Sequence, residues 1–261
     1  MTRIFTKALL GASAAALAST TAFAQDDAVG VSVGVDYVSE YVFRGASLGS
    51  DSIQPYVEAS YGNFTAGAWV STGIGGDSDV PVGGFRNDEI DLYAGYSVPL
   101  EGAFSLDLGV TYYHYPQNGS LFGTRDGSSG SYEVSAAVGF DEFILAPSIA
   151  AYYDFTLENF TLEAALGDSV GLGEKGGVDY GLTAGLVEGD NGFSYQWATA
   201  SLGYSFAVSD EVSVFAAGNY SINSEDDTLD LDTFGDMAGD QVLLATDDDL
   251  LWFSAGISTS F

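Results

Sequence analysis

The chain has 261 residues with 37 acidic against 6 basic side chains, a net charge of −31 that excludes nucleic acid as a partner and gives no electrostatic attraction to anionic lipid. It has no cysteine, so disulfides, thiolate chemistry and soft-metal sites are closed to it. Beyond the N-terminal leader no apolar run reaches the roughly 20 residues that a membrane-crossing helix needs, yet 46% of residues are hydrophobic and 14% aromatic, a β-rich composition with abundant glycine and scarce proline.

The leader comes first. Arg3 and Lys7, a small apolar stretch from Ala8 to Ala22, and Ala22-Phe23-Ala24 ahead of Gln25 predict a signal peptide over 1–24 and a mature domain over 25–261. An anchor helix is the alternative, but the stretch is short for a span and small residues fill its second half.

From Val29 the apolar side chains recur at every second residue: Val29, Val31, Val33, Val35 and Tyr37 alternate with Gly30, Ser32, Gly34 and Asp36. Period two predicts a strand with one greasy and one polar face. The pattern returns at Val57 to Tyr61, Phe64 to Val70, Ile90 to Val98, Phe104 to Tyr112, Tyr132 to Phe140 and Phe143 to Ala151. It continues at Phe160 to Leu166, Val178 to Leu186, Ala198 to Phe206, Val212 to Ala216 and Leu251 to Phe261, giving twelve segments.

Short turns are expected at Gly62-Asn63, Pro99 to Ala103, Asp141-Glu142 and Ala207 to Asp210. Longer polar loops are expected at Gly45 to Ser52, Gly73 to Asp88, Pro116 to Gly130 and Asn223 to Asp249. The Gly-rich piece Gly167 to Gly177 stands where a short turn should be. Short turns at one end and long loops at the other point to an all-β fold, a transmembrane antiparallel up-and-down β-barrel of about 12 strands, with both termini on the periplasmic side. Aromatics flank the short turns (Tyr61, Phe64, Tyr96, Phe104, Phe140, Phe143, Tyr204, Phe206, Phe261), and a second set (Tyr41, Phe43, Tyr112, Tyr113, Tyr115, Tyr152, Tyr153, Trp252) lies toward the long loops. Both sets are expected to form interfacial girdles, although aromatics are also simply good strand formers. The last segment alternates up to a terminal aromatic, Phe261, which resembles a C-terminal signal for the barrel-assembly machinery.

The run Ser39-Glu40-Tyr41-Val42-Phe43-Arg44-Gly45-Ala46-Ser47 resembles the motif S-D-Y-V-F-R-G-x-S of the TorF-type porin family of proteobacterial outer membranes, with Glu40 where that family usually has Asp. Gly67-Ala68-Trp69-Val70-Ser71 and Asn87-Asp88-Glu89-Ile90-Asp91-Leu92-Tyr93 are similar to it as well, and the resemblance runs from about Val33 to Tyr115. It implies a barrel and a transport role without naming a solute.

If the apolar set faces lipid, the opposite parity faces the lumen, and there lie Asp36, Glu58, Glu89, Asp91, Asp107, Glu133, Glu163 and Asp179. Carboxylates lining a wet, low-dielectric passage concentrate cations; the alternative is hydrated wall positions with no selective role. Gly34, Gly95, Gly109, Gly181 and Gly203 are expected to leave room for water. Arg44, Arg86 and Arg125 fall at or beyond the loop-side strand ends, where they either converge at the outer mouth or tie loops to the wall by local salt bridges. The acidic run from Ser224 to Asp249 lacks the spacing of a calcium loop and reads as a solvated loop.

A barrel enzyme would need a nucleophile paired with a base, and the single histidine, His114, has no recognisable serine partner. The expected function is a diffusion channel in the cell outer membrane for small hydrophilic solutes, cation-preferring, without cofactor or catalytic or metal site. Expected partners are outer-membrane lipid, lipopolysaccharide and the assembly machinery. A closed structural or adhesive barrel working through its outer loops is the alternative, with a barrel lipid hydrolase behind it; oligomeric state stays open.

Overall fold

The computed structural model describes residues 28–74, 88–116, 121–122, 130–140, 142–189, 194–224, 229–230, 243–244 and 249–261. The leader, Arg86, Arg125 and most of the acidic run after Ser224 lie outside the described residues. Twelve strands close into one antiparallel barrel: β1 (Val29–Val38), β4 (Ser52–Tyr61), β5 (Phe64–Gly73), β6 (Glu89–Val98), β7 (Ser105–His114), β8 (Gly130–Gly139), β9 (Ser148–Asp154), β10 (Asn159–Leu172), β11 (Gly176–Gly189), β12 (Ser194–Ala207), β13 (Val212–Asn223) and β16 (Asp249–Ser260). Between them in the chain fall two short hairpins, β2 (Tyr41–Phe43) with β3 (Ala46–Gly49), and β14 (Leu229–Asp230) with β15 (Leu243–Leu244). Sequential strands pair throughout, and β1 closes the ring by pairing with both β4 and β16. Closure leaves no wall strand with an unpaired edge, the condition for placing strands in hydrocarbon.

The alternating apolar set points outward. Leu202 is 62% exposed, Leu251 63% and Val57 45%, while their strand neighbours turn toward the axis. Such an inside-out barrel is built for an apolar surround, because exposing this belt to water would forfeit about 25 cal/mol per Å² of apolar area.

Two segments depart from the sequence reading. The strand expected over Phe143 to Ala151 starts only at Ser148, and Phe143, Leu145 and Pro147 belong to a turn. There Ala146 N donates to Phe143 O at 3.1 Å, and Phe140 N to Pro147 O at 2.9 Å. Leu145 and Ala146 take φ of 66° and 35°, so the alternation at that point does not report strand geometry. The Gly-rich piece 167–177 is mostly strand: β10 and β11 pair through it, Gly167 against Gly181 and Gly171 against Gly177, leaving a turn at 173–175 with Gly173 at φ 79°. At the opposite end the connections 155–158 and 190–193 are short too, so the length asymmetry rests on 74–88, 115–129 and 224–248.

Candidate functional site: a hairpin inside the lumen

The chain does not run straight from β1 to β4. At Ser39 it is clamped to β16, with Ser39 N donating to Phe253 O and Phe253 N to Ser39 Oγ, both at 2.9 Å. It then folds β2 and β3 into a hairpin whose turn residues Arg44 and Gly45 have φ of 49° and 77°. Two consecutive positive φ values favour Asn-Gly or Gly-Gly, because a side chain at the first position is strained. Arginine is held there by what its side chain reaches.

That reach is into the barrel. Arg44 Nη1 and Nη2 donate to Glu133 Oε2 and Oε1 at 2.8 and 3.0 Å, a two-pronged pair from the hairpin tip to β8. Its guanidinium lies over the Tyr152 ring at 4.4 Å and its own neighbour Phe43 at 4.6 Å. Tyr113 Oη donates to Glu133 at 3.0 Å and so holds the carboxylate from the other side. Gly45 O accepts from Asn223 Nδ2 at 3.0 Å, and a Cβ on Gly45 would collide with the Trp197 side chain. Ala46 is buried with Val187, Tyr195 and Trp197, and Val42 with Leu250 and Trp252. Tyr41 packs 5.5 Å from Trp69 and donates its Oη to Glu89 at 2.9 Å.

The hairpin therefore touches wall strands on every side of the axis. At its level each strand turns a buried side chain inward: Val38, Gln54, Ser71, Asp91, Tyr113 and Glu133 on one arc, Tyr152, Thr161, Val187, Trp197, Asn219 and Trp252 on the other. Nearer the short turns most inward residues, among them Ser32, Tyr56, Glu58, Ser97, Asp107, Ser135, Ser201 and Ser258, are only half-buried, while Asp179 is buried.

The eight acidic positions divide between these layers. Glu89, Asp91 and Glu133 are buried beside the hairpin, and Glu163 approaches Tyr152 and Arg44. Glu58, Asp107 and Asp179 lie in the other half, where Glu58 accepts from Tyr93 Oη at 3.1 Å and Asp107 from Ser97 Oγ at 2.6 Å. Asp36 lies between the layers, against Gly256. Asp154, which the sequence reading passed over, is buried at the end of β9 and accepts from the backbone N–H of Thr156 and Leu157, both at 2.8 Å.

Three sequence expectations are corrected here. Of the two alternatives for Arg44 the structure has the salt bridge to the wall and not a place at the outer mouth: it reaches inside to Glu133, which faces the axis. Tyr41, Tyr113, Tyr152 and Trp252 are not girdle residues: they are buried around the hairpin. The space beside Gly34 is not left for water, since the Tyr56 ring lies over it, 2.5 Å from where a Cβ would sit. Parity in the sequence already carried the second correction, for Tyr113 alternates with outward Tyr112, Tyr152 with Tyr153, and Trp252 with Leu251 and Phe253. His114 is buried in an outward aromatic stack with Tyr112, Phe122 and Tyr132.

A family of bacterial proteins of unknown function, Gcw_chp, matches residues 22–220. The chain belongs to this family. Its barrel is similar to that of the NanC porin, with a TM-score of 0.53 at 10% identity over 88% of this chain and 98% of the porin. It is also similar to an outer-membrane channel from Pseudomonas putida F1, with a TM-score of 0.50 at 10% identity over 91% of this chain and 97% of that one. At such identity the likeness is one of fold: a closed twelve-stranded barrel of the outer-membrane kind. No curated protein matches the sequence.

Proposed function

We propose that the chain is an outer-membrane channel of the TorF-type porin kind, passing small hydrophilic solutes with a preference for cations, and that the β2–β3 hairpin is its constriction. The observation that carries this reading is the charge inside the wall. In the hairpin layer Arg44 pairs with Glu133 and lies near Glu163; Glu89, Asp91 and Asp154 add three more carboxylates, and the half toward the short turns adds Glu58, Asp107 and Asp179. A lumen with this excess of carboxylate, bounded by a low-dielectric wall, attracts cations and repels anions. The apolar outer belt supports placement in lipid, with lipopolysaccharide outside and the barrel-assembly machinery as partner during insertion. The channel reading involves no catalysis, and His114 serves in it as an outer-face aromatic neighbour.

The hairpin also favours a second reading, a barrel held shut that acts through its outer loops. Reversal potential across a planar bilayer under a salt gradient separates the two. A potential on the cation side supports the channel, a potential on the anion side rejects the selectivity, and a lasting absence of current supports the shut barrel.

A further inference from the structure

Asp91 is 1% exposed, and among the described residues neither of its carboxylate oxygens meets a hydrogen-bond donor. It leaves β6 on the same face as Glu89, two residues earlier, and lies within hydrogen-bonding reach of it. Glu89 is 4% exposed, and its oxygens accept from Tyr41 Oη of the hairpin at 2.9 Å and from Tyr115 Oη at 3.3 Å. An ionised carboxylate only accepts, so two of them side by side need something positive between them. Arg44 does not provide it, since both of its terminal nitrogens are directed at Glu133. Among the described residues, the other groups that act on Asp91 or Glu89 are the Tyr41, Tyr93, Tyr113 and Tyr115 phenols and the Glu133 carboxylate, none of them cationic.

We propose that Glu89 and Asp91 form a binding site for a single desolvated divalent cation of calcium's size, closed by Tyr41 of the hairpin. The two charges match one divalent ion. The ligands are all oxygen: both atoms of Asp91, the remaining lone pairs of Glu89, the neighbouring phenols and water. Calcium accepts such an irregular oxygen set, whereas magnesium demands an octahedron and gives up its water reluctantly. Because Tyr41 is bonded to Glu89, the ion and the docked hairpin stabilise each other, each strengthening the other by the same factor. The site goes beyond the channel reading and does not depend on conduction.

Terbium, which replaces calcium and emits when a nearby tyrosine or tryptophan is excited, tests it in the full chain folded in detergent micelles. Tyr41 and Trp69 stand together beside the pair and supply the antenna. The expected result is saturable emission, displaced by calcium at a concentration at least tenfold lower than magnesium requires, and reduced at least fivefold by Asp91→Asn and by Glu89→Gln. Asp91→Asn removes a buried charge and so is not expected to harm folding; heat-modifiable migration on gels checks that it is folded. Emission that survives both substitutions belongs to the acidic run after Ser224 and overturns the proposal. Absence of emission in the unmodified chain at pH 8 overturns it too, and assigns the pair a shared proton instead.

Discussion

The two halves of the lumen are made of the same strands and have opposite characters. Toward the long loops, the wall presents Trp69, Tyr113, Tyr152, Trp197 and Trp252 together with buried carboxylates, and the hairpin fills the space between them. Toward the short turns it presents mostly serine and glycine, with Glu58 and Asp107 half-buried and Asp179 buried. The difference separates two uses of the inward parity. Large aromatics build a packed core that needs a plug to complete it, and small polar residues leave a more open vestibule where Glu58 and Asp107 stay partly exposed.

Breaking the packed half should have the larger effects. Arg44→Ala leaves Glu133 buried with only Tyr113 as partner, and stranding one member of a buried pair costs about 3–5 kcal/mol. The chain has no cysteine, so Ser47→Cys reports hairpin undocking cleanly by maleimide labelling. Adding Arg44→Ala is expected to speed that labelling by about two to three orders of magnitude. Unchanged labelling would mean that the pair does not hold the hairpin.

Gly45→Ala acts at the same turn through backbone and packing, since φ is 77° and the added Cβ meets Trp197. The expected loss of hairpin docking is about 1–3 kcal/mol, read in the same labelling assay. Phe64→Ala, outside the barrel, removes a ring pair with Tyr96 at 4.6 Å. That should lower stability toward urea by about 0.5–1.5 kcal/mol beyond the lost area, with labelling unchanged. The smallest effect is expected from Asp107→Asn in the wet half, where Ser97 is its partner and solvent screens the charge. Hairpin labelling should not move, and single-channel conductance should fall by less than about twofold.

The wall of this barrel is legible in the sequence because period-two alternation is a local property: Val29 to Tyr37 and Leu251 to Phe261 specify their outward faces without reference to any other strand. Where local alternation misleads, as at Phe143 to Pro147, the turn is set by positive φ at Leu145 and Ala146 and not by hydrophobicity. The hairpin is a different matter. Tyr41-Val42-Phe43 is a short apolar run, and its destination depends on partners 28 to 210 residues away, from Trp69 to Trp252, that no spacing rule connects. The carboxylates were legible as inward-facing residues, but their division into a packed and a wet set follows from where the hairpin lies. Asp154 continues the inward parity of Ala150 and Tyr152 at the end of β9, so the same alternation carries it.

The central claim, that residues 41–49 constrict the outer half of the lumen, is tested most directly by replacing them with a short glycine-serine link and comparing single-channel conductance with the unmodified barrel. The expected result is a rise of about tenfold with cation preference retained, since the carboxylates of the wall remain. Equal conductance from the two proteins, both folded, would contradict it.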